Sequence, residues 1–373
     1  MQKGVVMRSN YNGRFTAIAP GAIIPGYMPD FRIYVFANGR HILWANNGNT
    51  VTPDQLKKLM ESGAEEVYID IEDGFVYDQY LENRMGDILT REEPSGRQKA
   101  EIFARVTNKV IKQTFASTHE SSVVQQESID RIEAVVANAL SFIAESRSIE
   151  ALSKMVGHDY NTYEHATKVL WLTVMFLNEN QDVLEQIEPG YTEYSNMEKK
   201  RLLERCGVAA MLHDIGKVLV PPGILNKNGP LNETEWEIIK SHTLGGLAML
   251  LDTDIPVFVK KAVVQHHEDF NGGGYPMKIE GNSIHPLARI VRIMDVFDAM
   301  TSRRSYKDAM SPIEVAKIMA GDGQDRDSGM KRCFDERYLR KFIILLGKLP
   351  AMTLANRGKS GIPSGAELKA YAA

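Results

Sequence analysis

Five of the chain's nine histidines fall inside short strings whose side chains could do chemistry together. His165 lies in EHATKV, His213 in HDIGK, His242 in KSHTLGG, and His266 and His267 in HHEDFNGGGYP. Two carboxylates accompany them: Asp214 beside His213, and Asp295 in RIVRIMDVFDAMTSRRSYK. Imidazole and carboxylate are the usual ligands of first-row divalent metals. The two cysteines, Cys206 and Cys333, are too few for a disulfide framework or a cysteine-built zinc site, and fit a reducing compartment. Adjacent His213 and Asp214 cannot share one face of a continuous helix, but a helix end can aim both inward. One aspartate can then bridge two metals through its two oxygens. A lone histidine on an apolar helix, such as His41 or His119 taken singly, is an ordinary residue, and HDIGK alone proves little. The conjunction of all these strings, in order, is what points to a metal centre.

Such a constellation needs rigid elements, and the sequence supplies them in two parts. Residues 31–36 (FRIYVF) and 41–45 (HILWA) are aromatic and β-branched, with Asn38-Gly39 between them, which predicts a hairpin. Thr52-Pro53 offers an N-cap and a first-turn proline for the helix PDQLKKLMES, closed by Gly63, and EVYIDI (66–71) reads as a third strand. Residues 91–99 are polar and read as a connector. Ile129, Ile132, Val135, Val136, Leu140 and Ile143 recur at helical spacing. Beyond 150 nearly everything is helix-like: 163–178, 197–217, 233–251, 256–268, 286–301, 312–320 and 336–347. The expected fold class is α+β overall, a small N-terminal α+β module followed by an all-α helical bundle. The expected divisions are 1–95 for the module, 96–150 for a helical connector, 151–350 for the helical domain and 351–373 for a flexible tail.

At 373 residues the chain is long for one compact domain and comfortable for two. Its formal charge of −4 gives no global attraction for polymeric nucleic acid, so an anionic ligand must be held by local cations or metals. The longest apolar run, Val169 to Leu177, is far short of a membrane span. MQKGVVMRSN shows no apolar signal region, and the expected location is the cytoplasm.

HDIGK, the HHE…Gly274-Tyr275-Pro276 string and DVFDAMTS with its following Arg, Tyr and Lys together resemble the HD-GYP subgroup of the HD phosphohydrolase superfamily, over about residues 150–350. Generic HD proteins have the His-Asp pair without the Gly-Tyr-Pro segment. The resemblance implies a bacterial cyclic di-GMP phosphodiesterase whose product is linear pGpG, with or without onward hydrolysis to GMP, with a water activated between two metals. It implies one ion on His165, His213, Asp214 and Asp295 and another on Asp214, His242, His266 and His267, with Asp214 as the catalytic bridge. Iron is favoured, manganese comes next, and zinc, cobalt or nickel can occupy the same ligands. Lys217 is expected to act in catalysis and on the scissile phosphate, Arg304 and Lys307 to grip phosphate oxygens, and Tyr275 to contact the nucleotide or anchor a partner protein. Glu268 is expected to orient a histidine, and Asp298 to be structural.

Some relatives hold a third ion with a glutamate four residues before the first histidine. This chain has Asn161 there, which implies two ions. The family usually has Asp where this chain has Asn271, and Arg-Pro-Tyr where it has Arg304-Ser305-Tyr306. Both departures lie beside the ligands and bear on loop conformation and rate. They keep open a catalytically weak nucleotide-binding or scaffold protein acting on diguanylate cyclase (GGDEF) partners, and a phosphodiesterase for another cyclic dinucleotide. A monomer and a homodimer are both compatible with the exposed face of the 126–145 helix.

Overall fold

The computed structural model describes residues 14–144, 162–302, 309–321 and 332–347. The backbone divides into two compact units, Met1–Val106 and Thr107–Ala373.

The N-terminal unit holds four strands, β1 (Phe15–Ile18), β2 (Ile33–Ala37), β3 (Arg40–Ala45) and β4 (Val67–Asp70), paired antiparallel in the order β1-β4-β2-β3. Asn38 and Gly39, at φ 53° and 76°, make the left-handed turn that lets β2 fold onto β3 with Phe36 opposite His41. One sheet face contributes the buried Ile18, Ile33, Val67 and Ile69; the other carries Phe15, Tyr34, Phe36, His41 and Tyr68. Helix α1 (Pro53–Glu61) starts at the expected Thr52, whose hydroxyl and Gln55 form a reciprocal capping box. Two elements exceed the sequence expectation. Strand β1 is short and at the sheet edge. Helix α2 (Gly74–Thr90) buries Tyr77, Tyr80, Leu81, Met85, Ile88 and Leu89 at helical spacing. The polar stretch 91–99 gives way early, because α3 (Gly96–Ser121) begins inside it.

The second unit is helical: α4 (Gln126–Ala144), α5 (Thr162–Glu179), α6 (Asn196–Leu212), α7 (Glu233–Lys240), α8 (His242–Met249), α9 (Val257–Gln265), α10 (Pro286–Thr301), α11 (Pro312–Ala320) and α12 (Glu336–Gly347). Helix α5 is buried on all sides from His165 to Leu177 and packs against α4, α6 and α10. That is why its sequence is apolar all round rather than striped. Capping boxes at Ser195/Glu198, Asn232/Glu235 and Ser311/Glu314 set the starts of α6, α7 and α11.

Three expected helices are interrupted. The 197–217 segment stops at Leu212 and resumes as a 3-10 turn, Ile215–Leu219; the 233–251 segment breaks at Ser241; and the 256–268 segment ends at Gln265. Each break falls at a histidine of the constellation. Among the described residues, no helix is long and apolar enough to cross a membrane.

Candidate metal centre

The interruptions explain how the side chains converge. The last carbonyls of a helix have no intrahelical donor. His213, His242 and His266 each turn Nδ1–H back onto the carbonyl three residues earlier, Ala210, Ile239 and Val263, all at 2.7 Å. The bond fixes the tautomer and leaves the lone pair on Nε2. His165, in the first turn of α5, reaches the same state differently: its Nδ1 donates to Asp298 Oδ2 on α10 at 2.7 Å. The Asp298 carboxylate is itself held by Ser302 Oγ at 3.1 Å, and Lys168 Nζ lies 3.7 Å away.

Asp214 lies between two groups of ligands. Its Oδ1 is 3.4 Å from His242 Nε2 and 3.8 Å from His266 Nε2. Its Oδ2 is 3.4 Å from His213 Nε2 and 3.9 Å from His165 Nε2, and His165 Nε2 is 3.1 Å from Asp295 Oδ1. Asp214, His242, His266 and His267 thus form one buried set, and His165, His213 and Asp295 another, with ligand atoms within 4.8 Å of one another in each. Lys217 Nζ donates to Asp214 Oδ2 at 2.7 Å. A 3-10 turn eclipses residues i and i+3, so the helical break after Leu212 is what stacks Lys217 over Asp214.

The charges suit metal ligation. Burial pushes His242 down to about 3 and also lowers His266 and His267, so these imidazoles are neutral near pH 7, the form that ligates. Burial alone would raise Asp214, but Lys217 and His213 beside it hold it well below the usual carboxylate range. Burial opposes ionisation of Asp295 too, and His165 outweighs it. His213 Nε2, His267 Nε2, Asp214 Oδ1 and Asp295 Oδ2 are buried without a hydrogen-bond partner among the described residues. Polar atoms left so in a packed interior call for an unseen ligand, and the neutral imidazole and anionic carboxylate set fits first-row divalent ions.

Glycines in the strings have steric reasons. A Cβ on Gly216 would overlap the His242 carbonyl and the Gly246 amide, so the Ile215–Leu219 turn can lie on α8 only without one. A Cβ on Gly274 would overlap the Asp269 amide and the His267 carbonyl. Glu268 does not orient a histidine as expected from the sequence. It is buried, and its Oε1 accepts from Met277 N at 2.6 Å, fastening the loop after Gly274. Asn271 Oδ1 accepts from Gly273 N at 3.0 Å, a bond that an aspartate would make equally, so this departure leaves the local turn intact. The ring of Tyr275 stacks on His267 at 4.7 Å between centroids and meets Trp236 edge-on at 6.3 Å.

All seven residues expected as ligands are therefore brought together, with Lys217 among them and Tyr275 against them. Arg304, Lys307 and Asn161 lie outside the described residues. Sequence reasoning missed the work of Asp298. Its available signal was the helical i, i+3 spacing from Asp295, which puts both carboxylates on one face of α10.

Residues 168–327 match the HD domain family. Residues 168–327 thus carry an HD domain, and the Gly274-Tyr275-Pro276 segment falls within that stretch. It is 27% identical over 347 residues to a cyclic di-GMP phosphodiesterase of Pseudomonas aeruginosa, an alignment spanning 86% of this chain and 75% of that protein. A cyclic di-GMP phosphodiesterase of Thermotoga maritima is 36% identical over 38% of this chain and 43% of its own. A 3′3′-cGAMP-specific phosphodiesterase of Vibrio cholerae is 34% identical over 38% of this chain and 28% of its own. The fold matches an HDG"Y"P protein of Bdellovibrio bacteriovorus with a TM-score of 0.57 and 17% identity, covering 89% of this chain and 99% of that one.

Proposed function

We propose that this chain is a metal-dependent phosphodiesterase that hydrolyses cyclic di-GMP to linear pGpG, with or without onward hydrolysis to GMP. One observation carries the reading: the two oxygens of buried Asp214 face opposite sets of ligand atoms, Oδ1 towards His242 and His266, Oδ2 towards His213 and His165. His165, His213, Asp214 and Asp295 would hold one divalent ion, and Asp214, His242, His266 and His267 the other, iron first and manganese next. When bound, such a pair supplies Lewis acidity to phosphate oxygens and lowers the pKa of water. The protein's own part is positional. The carbonyls of Ala210, Ile239 and Val263 and the Asp298 carboxylate fix the imidazoles before any ligand arrives. Lys217 sets a buried ammonium against the bridging carboxylate, where it meets a phosphodiester that enters the site. Tyr275 offers a ring beside His267 for a nucleobase or for a diguanylate cyclase partner, and Arg304 and Lys307 add phosphate contacts. A cytoplasmic location and a monomer or homodimer complete the proposal.

The test is to incubate anaerobically purified protein, loaded with Fe2+ or Mn2+, with a panel of cyclic dinucleotides and to separate products by chromatography. Formation of pGpG from cyclic di-GMP is expected, and the same chromatogram reads whether GMP follows. The Vibrio cholerae relative named for 3′3′-cGAMP supports a second reading, in which that dinucleotide is turned over preferentially. Binding without turnover of any member would leave the nucleotide-responsive scaffold.

A further inference from the structure

His267 differs from the other four histidines of the centre. Those four donate from Nδ1 to a carbonyl or carboxylate and so present a lone pair at Nε2. His267 has its Nδ1 3.2 Å from Nη1 of Arg292, a buried residue on α10. A guanidinium has donors only and keeps its proton, so His267 Nδ1 is the acceptor in this pair. A neutral imidazole has one lone pair. With that pair at Nδ1 given to Arg292, Nε2 carries the hydrogen. Neither nitrogen is then open to an ion.

We infer that Arg292 and a metal ion compete for His267, so that the ion held by Asp214, His242, His266 and His267 binds more weakly than the one held by His165, His213, Asp214 and Asp295. The inference rests on the two-ion reading above. The competition does not depend on which nitrogen ligates. Ligation at Nδ1 displaces Arg292 directly. Ligation at Nε2 moves the hydrogen to Nδ1, where it would face the N–H of Arg292, donor against donor. In either case the bond between Arg292 and His267 must break.

The guanidinium has somewhere to stay when it does. Arg292 Nε and Nη2 both donate to Asp269 Oδ1, at 3.2 and 2.9 Å, so its charge remains paired after Nη1 is released. Asp269 follows His267 by two residues and Arg292 precedes Asp295 by three, so the fork spans the loop and the helix that carry the ligands. The arrangement gives one ion a site whose ligands are already presented and the other a site that must first be opened.

The test is a titration of metal-free protein with Mn2+, with free ion counted by electron paramagnetic resonance. Two classes of affinity are expected in the wild type, and His267→Ala should remove the weaker one. The variant Arg292→Met with Asp269→Asn leaves no unpaired buried charge. It should tighten the weaker class by about tenfold or more, the scale on which outer partners tune metal affinity, and leave the tighter class unchanged. Arg292→Lys gives up the fork while keeping a charge for Asp269. It should move the weaker class in the same direction, and it keeps the test readable where the double variant does not fold. A weaker class that is unchanged or further weakened in the variants, or two equal classes in the wild type, would overturn this inference and leave the two-ion reading standing. Absence of Mn2+ binding to the wild type would overturn both.

Discussion

The two units differ in whether any convergent buried polar groups are left without a partner among the described residues. In the N-terminal unit, buried side-chain polar atoms have protein partners throughout the described residues. The Tyr80 hydroxyl donates to Ala22 O at 3.0 Å and accepts from Ile24 N at 2.9 Å; the buried Asp70 carboxylate takes Arg14 Nε and Glu72 N. In the helical unit, His213, Asp214 and Asp295 converge with atoms that have no hydrogen-bond partner among the described residues. Each such atom costs about 1–3 kcal/mol. The apolar helices around them, α5 above all, offset that cost. The contrast separates polar groups that complete a fold from polar groups kept open for a ligand, and it can be tested from both sides.

The largest effect is expected at Asp214. In Asp214→Asn the bridge loses one anionic oxygen and both ligand sets lose a member, so turnover should fall to background and most of the metal should be lost. Metal analysis and rate on the purified variant check this. A full metal complement with an unchanged rate would place Asp214 among the structural polar groups and break the contrast. Lys217→Ala should behave differently, retaining metal while losing turnover, because its ammonium lies beside the ligands without being one.

A smaller loss is expected at Asp298. Asp298→Asn keeps the shape but can turn its amide nitrogen towards His165 Nδ1, which removes the acceptor that fixes the ring. Metal affinity should drop by about 10–100-fold, with recovery in Asp298→Glu to the extent that the longer carboxylate still reaches His165. Melting unchanged in the presence of saturating metal would separate this positioning role from a merely structural one.

Asp298 also marks the limit of what could be read from residue order. The hairpin at Asn38-Gly39, the cap at Thr52 and the helices 286–301, 312–320 and 336–347 are local features, carried by turn residues and apolar spacing, and the structure has them as expected. The ligand strings were legible because imidazole and carboxylate are scarce in apolar helices. The helix breaks at Leu212, Ser241 and Gln265 were not, because no Gly or Pro falls at those points. The breaks go with histidines capping the carbonyl three residues earlier and with the close approach of Gly216 to α8, both properties of the assembled fold. Partners such as Asp298 for His165, or Arg292 for His267, lie far apart in the chain and carry no local pattern.

Acid should act on the two units unequally. Unfolded histidines titrate near 6.5, whereas burial holds His242 near 3 and lowers His266 and His267 in the folded protein. Between those values the unfolded chain binds more protons than the folded one. The stability of the metal-free helical unit should therefore decline as the pH falls from about 6.5 towards 3. Asp214, depressed when folded, adds a further loss below about 4. The N-terminal unit has a single histidine, His41. Hydrogen exchange read by mass spectrometry at pH 7 and 4.5 should show protection lost first in peptides from α5, α6 and α9. Equal loss in both units would mean that the buried imidazoles do not set the acid response.

The smallest effect is expected at Tyr80→Phe, and it tests the contrast from its quiet side. The ring keeps its place, 5.3 Å from both Tyr27 and Phe31, so the apolar packing is nearly unchanged. Only the hydroxyl is lost, a group that burial raises to about 12 and that stays protonated at any working pH. Its removal leaves the Ala22 carbonyl and the Ile24 amide without their partner. The cost should be about 1–3 kcal/mol, and about 4–8 °C in the melting of a unit of this size for each kcal/mol. Mn2+ affinity should not change, because no ligand or ligand partner is involved. A stability loss with unchanged metal binding supports the division between completed and open polar groups. Unchanged stability would show that the Tyr80 bonds are dispensable. A change in metal affinity would break that division.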